Sequence, residues 1–411
     1  MRVLLFTGKG GVGKTTTAAA TAALSAARGR KTLVLSTDPA HSLSDALGVP
    51  LTGEPTEVDT GLYAVQVDTQ AAFERSWHEV QVWLRGVLAR AGVDPVQAEE
   101  LSVLPGAEEV LALLELRAQV ESGRWDLVVV DCAPTGETLR LLALPEALQW
   151  YLDKVFPVHR RALRAVRPLL PRGGPPPVAP DGALAAVERL HRELAEVRAL
   201  LTSPVTSVRL TLTPEAVVVA EARRTLTQLA LLGYRVDELV ANRVFPPPED
   251  AGREPFLAGW AAAQAEQLAA VRRDAGGLPV RTQAYRAGEP VGLAALTELG
   301  EVLYGDEDPA ADAPAAAELL TVTREGQAFV LSLALPLARR EELDLTRSGD
   351  DLVLTLGGSR RLLALPGVLR RCRVAGAKLA DGRLRVRFLP DPDQWPAALQ
   401  AHAAVDEAGR W

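Results

Sequence analysis

Residues 8–16, Gly-Lys-Gly-Gly-Val-Gly-Lys-Thr-Thr, hold four glycines, two lysines and two threonine hydroxyls. Gly8, Gly13, Lys14 and Thr15 occupy the fixed places of the pattern G-x-x-x-x-G-K-[ST]. Glycines let successive backbone N–H groups turn inward around phosphate oxygens, and Gly10, Gly11, Val12 and Thr16 complete the cradle. Lys14 suits the outer phosphates, and the Thr15 hydroxyl suits a Mg²⁺ ion. A helix opening at Lys14 would aim its positive end at the same oxygens. One lysine is enough for that task, so Lys9 asks for a separate role.

Further polar residues stand where apolar runs end. Asp38 follows Thr32–Leu35, Asp131 closes Leu127–Val130, and Asn242 lies within Leu239–Val244. Runs that are apolar on both faces, alternating with helical stretches, are expected of parallel strands covered by helices. The expected elements are a strand at Val3–Phe6, a helix at Lys14–Arg28 ended by Gly29, and strands at Thr32–Leu35, Trp125–Asp131, Val208–Leu212, Leu239–Val244 and Pro279–Thr282. The fold class is therefore α/β, built on a mostly parallel sheet.

With these residues in view, Lys-Gly-Gly-Val-Gly-Lys-Thr-Thr resembles the deviant phosphate loop of the nucleotide-dependent dimerising ATPases. Four further segments make the chain similar to the arsenite-pump and tail-anchored-protein-targeting branch of that group. They are residues 36–45, residues 131–142, Leu104–Val110 and Leu239–Pro246, in the family's order within roughly residues 1–305. The resemblance implies a P-loop ATPase fold and ATP/ADP with Mg²⁺ as ligands. It gives Lys9 a place across a dimer interface, at the other subunit's nucleotide, countering charge that builds on the transferring phosphoryl group. It makes Asp38, with Pro39 and His41, a first switch that orients the attacking water. It makes Asp131, with Pro134, Thr135 and Gly136, a second switch, Asp131 holding Mg²⁺ through water. Asn242 would read the adenine edge. Glu137 departs from the family, which usually has His there. The zinc-binding C-x-x-C and the arsenite-binding cysteine cluster of some members are both missing, so no zinc is expected.

Two stretches carry more helical pattern than a sheet needs. Phe73, Trp77, Val80, Leu84 and Leu88 lie in one, about residues 70–122. Leu184, Val187, Leu190, Leu194, Val197 and Leu201 lie in the other, about residues 145–201. They read either as extra core or as an inserted helical subdomain that offers an apolar surface to a client. Residues 306–316, rich in Asp, Ala and Pro, read as a linker after a 1–305 ATPase domain. From 317 to 391 the period changes to two, with Gly/Asp turns, which predicts a small all-β sandwich. Ala380-Asp-Gly-Arg-Leu-Arg-Val and the Leu-Pro at 365–366 make it resemble a reduced α-crystallin (small heat-shock) domain, and residues 392–411 read as a tail.

Composition narrows the function. The 411-residue chain has a formal net charge of −7, a mild acidic balance that argues weakly against nucleic acid as the main partner. No apolar run reaches the roughly 18 residues of a membrane span, and the strand beginning at Arg2 leaves no room for a secretory leader, so a cytoplasmic protein is expected. Two cysteines, Cys132 and Cys372, make neither a zinc site nor a paired-thiol site for a soft metalloid. The expectation is a homodimeric, Mg²⁺-dependent ATP-hydrolysing switch that carries a segment of a hydrophobic or tail-anchored membrane protein. Energising an arsenite or antimonite pump and acting as a non-catalytic nucleotide-gated scaffold are the alternatives.

Overall fold

The computed structural model describes residues 1–38, 42–67, 107–133, 135–136, 138–139, 181–247, 254–311 and 319–395. In chain order the elements are β1 (Arg2–Thr7), α1 (Lys14–Ala27), β2 (Thr32–Ser36), α2 (Ser42–Leu47), β3 (Thr56–Asp59), β4 (Leu62–Gln66), α3 (Ala107–Glu121), β5 (Leu127–Asp131), α4 (Asp181–Leu201), β6 (Thr206–Leu212), α5 (Ala216–Leu232), β7 (Val236–Val244), α6 (Pro255–Asp274), β8 (Val280–Ala284) and α7 (Leu293–Tyr304). The C-terminal part adds β9 (Leu320–Glu325), β10 (Ala328–Ala334), β11 (Leu343–Ser348), β12 (Asp351–Leu356), β13 (Ser359–Ala364), α8 (Gly367–Arg370), β14 (Cys372–Ala380) and β15 (Arg383–Pro390). They fall into two compact units, residues 1–211 with 282–312, and residues 212–281 with 313–411.

In the first unit the strands run in the order β3-β4-β2-β5-β1-β6. β1 pairs in parallel with β5 and β6, and β2 with β4 and β5. Only β3 runs antiparallel, to β4. β1, β2, β5 and β6 are buried along their whole length, as their Val/Leu-rich sequences require of strands covered on both faces. One core joins Leu4, Phe6, Val34, Leu127 and Val129 to the alanine-rich face of α1 and to Leu296 and Leu299 of α7. Small side chains on α1 let the helix lie close to the sheet. Its buried Thr17, Thr21 and Ser25 return their hydroxyls to carbonyls one turn back, at 2.7–2.8 Å.

Beneath that helix sits a buried cation. Arg209 of β6 donates from Nη1 to the Tyr304 hydroxyl at 2.9 Å and from Nη2 to the Pro309 carbonyl at 2.7 Å. The Tyr304 hydroxyl in turn lies 2.8 Å from Thr21 Oγ1. Residues 306–311, the first part of the stretch read as linker, are packed in this unit. Ala310 is buried in the core, and Arg28 and Arg30 of the α1 end engage Glu307 and Asp308. Their acidic and small residues look like a spacer in sequence because their partners lie far away in it. Residues 312–318 lie outside the described residues.

In the second unit the Leu239 N–H of β7 donates to the Pro279 carbonyl at 2.9 Å. The C-terminal strands form a four-stranded sheet, β14-β15-β10-β9, and a three-stranded sheet, β11-β12-β13. Alternation puts Leu331, Leu333, Leu352, Leu354, Val386 and Phe388 into one core with Leu231 of α5. Thr227 Oγ1 donates to the Pro336 carbonyl at 2.6 Å, and the Arg361 guanidinium donates to the Leu231 carbonyl at the end of α5. Of the inserts read as helical, α3 and α4 are described. Phe73, Trp77, Val80, Leu84 and Leu88 lie outside the described residues, and so do Leu104–Gly106 of the segment opening α3. The tail from 396 onward also lies outside. Trp395 packs on Phe329 with ring centroids 5.8 Å apart.

Candidate functional site

The strand order sets the site. β1, with β5 and β2 following it on one side of the sheet, ends at the same edge of the first unit, where Phe6 is level with Asp131 and Ser36 is level with Asp131. The carboxyl ends of parallel strands are where α/β proteins place ligands. Three loops therefore converge: the glycine loop after β1, Thr37-Asp38 after β2, and Cys132 onward after β5.

The glycine loop is held by its neighbours. Gly8 accepts a hydrogen bond from Thr135 N–H at 3.1 Å, and a Cβ on Gly8 would lie 2.0 Å from the Thr211 carbonyl oxygen. No side chain fits there. Gly11 has φ +79° and Gly13 φ +89°, while Gly10 and Gly11 are exposed with open space around them. Val12 is buried and pins the loop's far side. Lys14 is buried, its Nζ 3.4 Å from the Lys9 carbonyl, whereas the Lys9 side chain is half-exposed. Thr15 lies in the first turn of α1 with its hydroxyl 3.2 Å from Ser42 Oγ of α2, and the half-exposed Thr16 follows.

Asp131 is fully buried at the end of β5. Ser36 Oγ donates to its Oδ2 at 3.3 Å, and Oδ1 has no partner among the described residues. Burial pushes its carboxyl up to about 7, with the negative charge of Asp38 acting the same way. The Thr15 hydroxyl, the Lys14 charge and Ser36 oppose that shift. A buried oxygen with spare acceptor capacity beside a threonine hydroxyl is a hard oxygen set of the kind Mg²⁺ takes. Asp38 is half-exposed. Its N–H donates to Ser36 Oγ at 3.2 Å, and its carbonyl accepts from Gln66 Nε2 at 2.8 Å. Thr37 N–H donates to the Asp131 carbonyl at 2.9 Å, which ties the loop after β2 to that after β5.

The first unit thus brings together Gly8 to Thr16, Asp38, Asp131, Thr135 and Gly136. Pro39, His41, Pro134 and Glu137 lie outside the described residues. Asn242 belongs to the second unit, where its Oδ1 accepts from Arg243 N–H at 2.8 Å, and Gln264 bridges the Arg243 carbonyl and Phe245 N–H at 3.0 and 2.7 Å. Cys132 is buried and its thiol is held far above the usual range, first by burial and then by the Asp131 charge. That suits a packing residue and not a reactive one. Sequence reasoning passed over Ser36, Ser42 and Gln66. Ser36 and Gln66 share a signal, a polar residue closing an apolar strand.

Comparison with known proteins gives the family. The anion-transporting ATPase family matches residues 1–305, and the HSP20-like domain found in ArsA matches residues 326–388. A protein of Chlorobaculum tepidum named "Putative arsenical pump-driving ATPase" is 35% identical over 395 residues, covering 94% of this chain and 96% of that protein. A protein of the same name from Prosthecochloris vibrioformis is 36% identical over 392 residues, covering 94% and 96%. An uncharacterized protein of Streptomyces coelicolor is 39% identical over 396 residues, covering 96% and 99%.

Proposed function

Because the chain belongs to the anion-transporting ATPase family and is an ATPase, we propose that it is a Mg²⁺-dependent dimeric switch whose ATP cycle drives a membrane partner. The observation that carries this reading is the buried Asp131, with an oxygen that has no partner among the described residues, beside Thr15 and Lys14. The glycine loop's N–H groups and Lys14 bind the phosphates, and Thr15 and Asp131 would hold Mg²⁺, whose charge offsets that of the phosphoryl oxygens. Asp38, backed by Gln66 and Ser36, orients the attacking water, and positioning is most of what phosphoryl transfer needs. Lys14 is committed to its own loop, and the half-exposed Lys9 is left to serve a second subunit's nucleotide.

For the partner, the names of the relatives favour an energising role at a pump over the client carrier expected from sequence. Thiolate capture of arsenite by this chain has no support in its chemistry. Its two cysteines are buried and lie in different units. Any metalloid would be recognised by the partner, or here through oxygen and nitrogen ligands. The carrier remains the second reading, supported by the HSP20-like match.

Turnover measured with Mg²⁺, with EDTA, and in Asp38→Asn tests the switch. The expected result is hydrolysis that needs Mg²⁺ and falls at least about a hundredfold in the variant, with nucleotide binding kept. Full turnover in Asp38→Asn would refute the assigned chemistry. Adding membranes that contain the partner pump, or labelled transmembrane peptides, separates the two partner readings by which of them changes the rate.

A further inference from the structure

In the second unit a cavity of about 560 Å³ opens between α5 and the β domain. That volume lies within the range of sites for small organic ligands, roughly 300–1,000 Å³. We propose that this cavity binds a small amphiphilic anion, with a carboxylate or phosphate head held between Arg224 and Arg339 and an apolar body lying on Leu337 and Leu356.

The charges point to an anion. Arg223, Arg224 and Arg339 line the cavity with two acids, Asp274 and Glu342. Arg223 is engaged by Asp274 at the end of α6. Among the described residues no ion pair is made by Arg224 or Arg339. Arg224 comes from α5 and Arg339 from the β domain, so one ligand would touch both walls. Guanidinium groups match the planar oxygens of carboxylate and phosphate, where a lysine would offer only a point charge. Glu342 leaves the lining with one net positive charge, which favours a single anionic head over a polyanion.

The walls are built and not incidental. Thr227 ties α5 to the Pro336 carbonyl, and the next residue, Leu337, has φ +62°. A leucine in the left-handed region is strained, and it persists only where its surroundings hold it. That turn puts Leu337 and Arg339 on the cavity lining opposite Ala220 of α5. The occupant would therefore clamp the β domain to the helix that leads into β7.

The test uses the full-length protein with its nucleotide site saturated by Mg²⁺ and ADP, so that the phosphate loop cannot take the probe. Octanoate and phenyl phosphate are titrated calorimetrically, with octanol and phenol as uncharged controls. The expected result is saturable binding, one per chain, of at least one anion and of neither control. The stronger of the two anions identifies the head group. Arg224→Gln with Arg339→Gln should weaken binding at least tenfold, and Ala220→Phe, which fills the cavity without touching its charge, should abolish it. Melting curves establish which variants fold, and either folded variant decides the matter. No saturable binding of either anion, equal binding of the uncharged probes, or unchanged binding in a folded variant would overturn the proposal.

Discussion

Replacing glycines of the phosphate loop one at a time by alanine should have three very different outcomes. In Gly8→Ala the new Cβ would lie 2.0 Å from the Thr211 carbonyl oxygen and 3.2 Å from Val12 Cγ2, at φ +154°. The loop must move away from β6 by about 1 Å or more. Overpacking of that kind and a disfavoured φ each cost about 1–3 kcal/mol, roughly 2–6 together. Carried by the loop, this weakens ATP binding at least about 30-fold, since each 1.4 kcal/mol is a factor of ten. In Gly11→Ala the Cβ meets nothing, but φ is +79°. A left-handed alanine costs about 1–2 kcal/mol, so the loss is roughly 5–30-fold. In Gly10→Ala neither penalty applies, because its Cβ has nothing within 4 Å and its φ is ordinary. Binding should stay within about threefold of the parent. Calorimetric titration with Mg²⁺ and a slowly hydrolysed ATP analogue, well below each variant's melting temperature, gives the three constants. Gly8→Ala binding as well as the parent, or Gly10→Ala failing as badly as Gly8→Ala, would refute the geometric reasoning.

Three further outcomes follow from buried polar groups. Asp131 titrates near 7 when folded, against an ordinary 3.8, so between those values the folded protein holds a proton that the unfolded chain does not. The metal-free protein should therefore lose stability as pH rises from about 4 to about 7. Mg²⁺·ATP, which needs the carboxylate, should raise the melting temperature more at pH 8 than at pH 6. Asp131→Asn should flatten both dependences. Tyr304→Phe removes the hydroxyl that Arg209 and Thr21 share. It should cost about 1–3 kcal/mol, and Thr21→Val in the same background should add less than its separate effect, a non-additivity that melting of the double-mutant cycle would show. Arg361→Met withdraws the guanidinium from the carbonyl end of α5. A loss of about 1–3 kcal/mol is expected in a denaturant melt, with ATP turnover largely kept.

Much of the site was legible because its chemistry is written in contiguous residues. The loop at 8–16 carries its glycines, lysines and hydroxyls in one stretch, and Asp38 and Asp131 each follow a run that only a buried strand explains. What escaped was held by distant partners or lacked a pattern. β3 is nearly all exposed and polar, so Thr56–Asp59 showed no alternation. β14 keeps most of Cys372–Ala380 exposed, so its sequence showed no alternation either. Residues 306–311 read as a spacer because Arg28, Arg30 and Arg209, which hold them, are about 100 or more residues away. Ser36 and Gln66 gave only a polar ending to an apolar strand, and their contacts to Asp131 and Asp38 follow from sheet register, which a single sequence does not state. The inserts show the reverse. Their periodicity was clear, yet a helical pattern alone does not say what its apolar face meets.

The central claim is that two chains complete each other's catalytic sites, with Lys14 serving its own nucleotide and Lys9 that of its partner. Mixed dimers test it most directly. One chain carries Lys9→Ala, and the other carries Asp38→Asn and is otherwise intact. The only chain with its own Asp38 is then the Lys9→Ala chain, and its site receives an intact Lys9 from the partner. Each mixed dimer then has one competent site of two and should recover roughly half the parent dimer's turnover, above either homodimer alone. If the mixture hydrolyses ATP no faster than the two homodimers measured apart, Lys9 acts in its own loop, and if the Lys9→Ala homodimer is fully active, Lys9 is only a loop charge; either result makes the shared-site account wrong.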